Sequence, residues 1–596
     1  MQRGPSAIAN DIHSLYISPV TADLLINDLS RRERVDRDPS KDPRQGRRLT
    51  GIGLDQWSAA TVAIAAVISL PILVIVSSFA FGLSPTWDHL ASTVLPRYVI
   101  NSLLLMVGVG LITAFVGTLT AWLVTMYSFP GALILRWALV LPLAVPTYLM
   151  AYVYTDLLDV SGPVQSLVRD LTDLTPREYW FPQIRSTGGA IFVMGFVLYP
   201  YVYLLSRAAF LEQSICALEV SRTLGRSPVR TFWSVALPLA RPAIAAGTAL
   251  ALMETLGDYG AVSYFGVQTF TTGIFRTWFG LGEPITAIQL AAILMLFTGS
   301  LIILERRARM GARFHQSSHR YRELRPRQLR GGVAWAASLA CIAPVAIGFL
   351  IPTMDLIFHC LTRTPTLAED RMWGYAYNSF MLAVGTAVIA VVLALILAYG
   401  RRLRPTLSTR VSTRVAALGY ALPGSVVAVG VLFALAGMDR VLSFITGTAG
   451  LGTGLFFSGS VAALIFAYVV RFLAVSFQTV EAGLSKVHPA FDGASRTLGK
   501  TPVGTLLGVH APMIRASIVT AGLLVFVEVI KELPATMIVR PFNLDTLAIA
   551  TYRLASDERL SEAAPMALMI VLVSLIPVIL LSRAISRARP GNVAAC

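Results

Sequence analysis

The chain has 596 residues, 55% of them hydrophobic and only 14% charged, with a mean hydropathy of +0.67. Soluble domains carry nearer a quarter charged residues, so this composition excludes a water-soluble globular protein. Lysine and arginine number 49 against 33 acidic residues, a net charge of +16; because they fall in short stretches between apolar runs, they speak for membrane topology and anionic lipid contact rather than nucleic-acid binding.

Residues 1–50 are polar and rich in arginine, from Arg31 and Arg32 to Arg47 and Arg48, with no early apolar stretch of the signal-peptide kind. They are expected to form a disordered, basic cytoplasmic leader. Six runs long enough to cross about 30 Å of hydrocarbon follow, near 57–82, 99–126, 134–156, 189–207, 243–265 and 286–304, and define a first transmembrane domain over 51–304. Nine arginines between Arg306 and Arg330 mark a cytoplasmic linker, 305–331. Six more runs, near 332–358, 377–400, 415–437, 455–477, 514–538 and 563–582, define a second domain over 332–583, leaving a short tail at 584–596.

Lipid offers no partner for free backbone groups, so each run is expected to be helical, with Pro142, Pro146, Pro423 and Pro534 marking kinks or broken turns. The expected fold is an all-α polytopic membrane protein of about twelve transmembrane helices. Basic clusters at 207–241, 306–330, 401–414 and 486–515 fall on one side of this arrangement, which puts both termini in the cytoplasm. Cys216, Cys341, Cys360 and Cys596 are widely separated and suggest neither a disulfide framework nor a zinc site.

The chain also repeats itself. Asn101-Ser102 and Val107-Gly108 recur as Asn378-Ser379 and Val384-Gly385, and Ser221 to Val229 recurs as Ser495 to Val503, with Pro238 matching Pro512 and Arg241 matching Arg515. Each copy holds six spans, so the copies share one orientation and form a parallel repeat, the kind that builds a pathway at its interface. A duplicated scaffold that transports nothing would look the same at this level.

The repeated inner loop carries the most specific motif. Glu219-Val220-Ser221, then three residues and Gly225, then nine residues and Val235-Ala236-Leu237-Pro238 fit the pattern E-A-A-x3-G-x9-I-x-L-P. This resembles the coupling loop of permease subunits of type I binding-protein-dependent ABC importers. The second copy, with Gly493-Ala494-Ser495, Gly499 and Pro512, has Gly493 where Glu is expected and Asp492 one position early. Physically the loop is a short amphipathic helix ended by a glycine in the left-handed conformation, followed by a second helix. Gly493 to Thr501 looks like a phosphate-binding loop, but five residues separate the glycines instead of four and no strand precedes it, so nucleotide binding by this chain is rejected.

Near the end of the fifth span lie Glu254 and Asp258, and at the matching place in the second half Glu528 and Glu532. Each pair is four residues apart and shares a helix face. Four carboxylates facing lipid would cost on the order of 10 kcal/mol, so they are expected at the interface between halves, facing protein or water. Two readings stay open: four oxygen donors suit a hard cation, while Lys531 can pair with Glu528, and Gly257, Gly260 and Pro534 can mark a hinge.

Val262 to Arg276, Lys531 to Thr536, Arg540-Pro541-Phe542 and Asp545 to Ala548 resemble the corresponding segments of fused ferric-iron permeases, as do Leu141 to Pro146 and Ala421 to Gly424. The resemblance spans residues 57–583 and implies two tandem six-helix permease domains in the inner membrane, served by a periplasmic iron-binding protein and two copies of a separate ATPase subunit. ATP is then used by the partner, no cofactor is bound by this chain, and the chain is not itself an enzyme. Alternating access moves the cargo, and the coupling-loop residues Glu219, Ser221, Gly225, Pro238, Asp492, Ser495, Gly499 and Pro512 transmit the ATPase motion. Permeases for thiamine, sulfate or polyamines are built alike. An intramembrane enzyme is disfavoured, since no histidine begins an H-E-x-x-H motif and no G-x-S-x-G occurs; a channel would not need two coupling loops.

Overall fold

The computed structural model describes residues 55–82, 85–212, 221, 223–225, 227–310, 326–362, 368–445 and 456–587. The leader, residues 311–325 of the linker, Cys216, Glu219 and Cys596 lie outside the described residues.

Among the described residues ten helices are long and apolar enough to cross a membrane, and two bent helix pairs bring the total to as many as twelve. In chain order the elements used below are α1 (Gln56–Ser77), α2 (Leu95–Met126), β1 (Tyr127–Ser128), α3 (Thr147–Leu158), α4 (Thr187–Glu212), α5 (Leu237–Gly257), α6 (Gly260–Tyr264) and α7 (Pro284–Met310). The second repeat contributes β2 (Arg327–Gln328), α8 (Gly332–Val345), α9 (Ile351–Thr362), α10 (Ala368–Leu403), α11 (Gly424–Ile445), α12 (Val461–Ser485), α13 (Ala490–Thr497), α14 (Arg515–Ile530), α15 (Pro534–Val539) and α16 (Leu560–Arg587).

The prolines act as local chemistry requires. Val145, held extended by the following proline, separates the 3-10 turn Leu141–Ala144 from α3, and the two arms of this pair diverge by 93°. Pro423 stands immediately before α11, and Pro534 opens α15, where its missing N–H costs no hydrogen bond. The other bent pair, Pro502–Met513 with Arg515–Ile530, turns by 82° at Ile514. One small departure from an all-helical chain is the two-residue parallel bridge pairing Tyr127 with Arg327 and Ser128 with Gln328, which ties the end of the linker to the end of α2.

Helices α2, α4 and α5 pack on one another, and α10, α12 and α14 repeat that arrangement. Close approach is set by missing side chains: a Cβ on Gly117 of α2 would lie 2.7 Å from Val202 Cβ, and one on Gly247 of α5 would lie 2.6 Å from Val202 Cα. Equivalent polar contacts recur as well. Asn101 donates to the Gln268 carbonyl at 2.9 Å, and Asn378 donates to the Asp545 carbonyl at 3.1 Å.

Packing interlaces the two repeats. Helix α1, from the first, lies on α10 and α11 of the second, with Ile75 and the Pro71 carbonyl against Gly430. The α8–α9 arm, from the second, reaches back to α2, α3 and α4, where Gly348 sits against Pro142 and Tyr154 donates to the Ile347 carbonyl at 2.7 Å. The seam between halves is therefore walled by a helix from each repeat.

Candidate functional site

All four acidic residues picked out from the sequence line one cavity of about 90 Å³ at that seam, together with Thr147, Tyr148, Tyr201, Arg471 and Lys531. The helices break here, and the carboxylates account for the breaks. Helix α5 ends at Gly257, and Asp258 accepts hydrogen bonds from the backbone N–H groups of Ala261 and Val262 at 3.0 and 3.2 Å, capping α6; its second oxygen accepts from the Thr147 hydroxyl. Across the seam Glu532 accepts from the Ala535 N–H at 3.0 Å and so caps α15. Both residues satisfy donors that a helix start leaves open.

The halves then diverge. Glu532, only 5% exposed, is paired with Arg471 of α12 at 2.6 Å, and Arg471 also lies 4.0 Å from Glu254. Glu528 is paired with Lys531 at 2.9 Å. Val197 stands 274 residues before Arg471 and Gly257 274 before Lys531, the offset that relates Ser221 to Ser495. Thr147, which holds Asp258, matches Gly424 at the offset of 277 that relates Asn101 to Asn378, and a Cβ on Gly424 would lie 2.2 Å from Arg471 Nη1 and 2.6 Å from Glu532 Oε1. A hydroxyl serves the first half; an absent side chain makes room for a guanidinium in the second. Glu254 is left as the loosely held carboxylate, a quarter exposed and without a hydrogen bond among the described residues.

Arg471 escaped the sequence reading. The signal was available: an arginine inside the apolar run 455–477, where an ionisable side chain faces the bundle interior and needs an acidic partner. A second cavity of about 630 Å³ adjoins that of the carboxylates at Tyr259, lined by Tyr98, Gln268, Arg276, Phe279 and Arg540 among others. Tyr259 lines both cavities and stacks on Phe275 with ring centroids 3.7 Å apart.

The repeated loops share one construction at the other end of the molecule. Gly225 and Gly499 adopt φ of +76° and +75°, the left-handed turn that glycine enters without strain. Ser221 bonds to Thr231 at 3.0 Å, and Ser495 to Thr505 at 2.7 Å, clamping the helix before each glycine to the one after it. Ser227 and Thr501 cap those following helices. Pro238 lies in the first turn of α5 and Pro512 in the short helix Ala511–Met513. Matching apolar side chains face outward from both loops: Leu224, Val229 and Trp233 from the first, Leu498, Val503 and Leu507 from the second. That repeated exposed surface is what the motif alone did not reveal.

Asp492 faces inward. It accepts from Arg402 Nη2 at 2.7 Å and meets His510 Nε2 at 2.8 Å, while Arg402 also donates to the Leu484 and Val487 carbonyls. Partial burial pushes its carboxyl pKa up, but the hydrogen bonds and charges of Arg402 and His510 outweigh that and hold it below its ordinary value. The acid one position early thus ties the loop to α10. Helix α13, not a strand, precedes Gly499, as the rejection of a phosphate loop requires.

Residues 113–306 match the family described as binding-protein-dependent transport system inner membrane component. The chain is 27% identical over 524 residues, 86% of its own length and 95% of the other's, to the Fe(3+)-transport system permease protein FbpB 2 of Haemophilus influenzae. It is 27% identical over 241 residues, 40% of this chain and 78% of the relative, to a probable sulfate transport system permease protein cysT of Chlorokybus atmophyticus. It is also 29% identical over 149 residues, 25% of this chain and 62% of the relative, to the molybdenum transport system permease protein ModB of Escherichia coli.

Proposed function

We propose that this chain, a multi-pass inner-membrane permease of the binding-protein-dependent ABC importer kind and not an enzyme, carries ferric iron by alternating access between its two halves. The observation that carries the cargo reading is a cavity at the seam with four carboxylates against two cations, Arg471 and Lys531, matched by likeness to an iron permease along 86% of the chain. Hard oxygen donors suit a hard, highly charged ion. The space of about 90 Å³ suits an ion with a few waters rather than a bulky chelate. Asp258 and Glu532 hold the helix breaks, Arg471 and Lys531 keep two carboxylates satisfied between cargoes, and Glu254 is the ligand offered to the ion.

Two copies of a separate ATPase would grip the exposed apolar faces around Gly225 and Gly499, on the cytoplasmic side with both termini. A periplasmic iron-binding protein would dock at the outer mouth. The domains follow the repeat, 51–304 and 332–583, with 305–331 as linker. Radiolabelled iron uptake in a strain lacking the chain tests the reading: Glu254→Gln should cut uptake at least tenfold while the ATPase still co-purifies. Wild-type uptake by that variant would refute the cargo role.

A second reading is favoured by Arg276, which lines the larger cavity with Arg540, and by the sulfate and molybdenum relatives: an anionic cargo. Sulfate uptake that is lost in Arg276→Gln, with no iron uptake, would decide for it.

A further inference from the structure

Away from the seam cavity and the inner loops, Asp156, Asp355 and His359 bring one ligand atom each to within 4.8 Å of one another. Asp156 comes from α3 in the first repeat; Asp355 and His359 lie four apart on one face of α9 in the second. His359 Nε2 is 3.1 Å from Asp156 Oδ2 and 3.8 Å from Asp355 Oδ2. Donors bound to a common ion at about 2.1 Å stand roughly 3.0–3.4 Å apart, so small side-chain rotations close the set.

The second observation is an unsatisfied one. Asp355 has a side chain nine-tenths buried, and its Oδ2 has no hydrogen-bond partner among the described residues. A buried carboxylate oxygen without a donor is costly, and a proton or a cation must relieve it. His359 is already oriented for a cation: its Nδ1 lies 3.1 Å from the Ser561 hydroxyl at the start of α16. Donation from Nδ1–H to Ser561 leaves the Nε2 lone pair directed at the two carboxylates, which is how metal-binding histidines are commonly fixed. Asp156, 41% exposed, provides the route in from solvent.

We propose that Asp156, Asp355 and His359 form a binding site for a divalent first-row transition metal ion, completed by water, that braces α3 of one repeat to α9 and α16 of the other. Two carboxylate oxygens and one imidazole fit manganese, iron, cobalt or zinc; the imidazole disfavours calcium, and the absence of thiolates from the set disfavours copper(I). Without metal, Nε2–H donates to Asp156 and the Ser561 hydroxyl donates to Nδ1; with metal, the imidazole stays neutral and exchanges tautomer. The site is separate from the cargo cavity and stands whatever the cargo is.

The test uses the full chain in nanodiscs, with any affinity tag removed, titrated with Co²⁺ and followed by ligand-field absorption, with metal content measured after gel filtration. About one Co²⁺ per chain is expected, accompanied by a higher thermal midpoint. Asp156→Asn, Asp355→Asn and His359→Gln should each weaken binding at least tenfold and abolish that thermal shift, and Ser561→Ala should weaken it less. Asp156→Asn changes an exposed position and keeps the fold, so it decides even where the Asp355 variant fails to insert. Co²⁺ binding equal in wild type and Asp156→Asn, or no binding by the wild type, would overturn the site and leave a protonated Asp355 beside an Asp156–His359 hydrogen bond. Iron uptake plays no part in this readout, so the cargo reading and the metal site fail separately.

Discussion

Replacing Arg471 by methionine probes the asymmetric heart of the seam. The substitution keeps an unbranched apolar stem but removes the guanidinium, leaves Glu532, 5% exposed, with the Ala535 N–H as its remaining side-chain donor among the described residues, and strips Glu254 of the cation 4.0 Å away. Removing one partner of a buried ion pair costs about 3–5 kcal/mol, because a charge is stranded in a poorly polarisable place. With an unfolding entropy of about 2.1 cal/mol/K per residue over the 596 residues, that loss lowers the thermal midpoint by about 2–4 °C. Glu532→Gln should cost less, since Arg471 keeps Glu254 and the amide still accepts from Ala535. The double variant removes both ends of the pair and should lie above Arg471→Met alone. Thermal unfolding in nanodiscs of fixed lipid, followed by tryptophan fluorescence, measures all four proteins. A double variant whose loss equals the sum of the singles would show that the two residues do not act on each other, and the account of this cavity would fail.

Gly424→Ala should mimic loss of the ion pair, since its Cβ would lie 2.2 Å from Arg471 Nη1, whereas Gly257→Ala, with its nearest neighbour at 3.5 Å, should leave the thermal midpoint within about 1 °C. Gly225→Val and Gly499→Val force a β-branched residue to positive φ at about 1–2 kcal/mol each or more; insertion should survive while transport and ATPase co-purification fall, and unchanged uptake would defeat the coupling assignment. Leu224→Asp with Leu498→Asp should separate the ATPase without altering the fold, read by pull-down. Asp492 has a folded pKa below its ordinary 3.8, so its contribution to the second loop is complete above that value and disappears as pH falls through the lower one. Hydrogen exchange across 490–510 should accelerate at that acid step in wild type, and Asp492→Asn should show no such step.

Span number, the repeat and the two glycine turns were legible in the sequence because each rests on a local signal: apolar length, identity at a nearly constant offset, glycine where φ is positive. The four carboxylates were legible as a set because two helical pairs recur at one spacing. What could not be read was who holds them. Asp258 and Glu532 cap the helices that follow them, through hydrogen bonds from Ala261, Val262 and Ala535 that form only once the chain has broken after α5 and α14, and no residue spacing announces that break. Arg471 comes from a helix 61 residues before Glu532 in the chain, a distance over which no periodicity speaks. The crossing of α1 onto α10 and α11 was equally hidden, because an apolar face that touches a neighbour is chemically the same as one that touches lipid.

Fusion of the two halves gives this asymmetry its physical meaning. In an assembly of two identical chains, an arginine at position 471 would appear on both sides, and a threonine at position 147 could not become glycine in one copy alone. Here Val197 and Thr147 belong to the first half and Arg471 and Gly424 to the second, so the cavity carries one guanidinium instead of two or none. With two, three cations counting Lys531 would face the four carboxylates, leaving one without a counter-charge instead of two. With none, Glu532 would be buried without a counter-charge. A single Arg471, 2.6 Å from Glu532 and 4.0 Å from Glu254, satisfies one carboxylate and leaves the other more loosely held. Exchanging the two environments, Val197→Arg with Arg471→Val together with Thr147→Gly and Gly424→Thr, should therefore preserve the charge and transfer the pairing to Asp258 and Glu528. Iron uptake that survived the exchange would mean that the charge balance of the cavity matters, and that which half supplies the arginine does not.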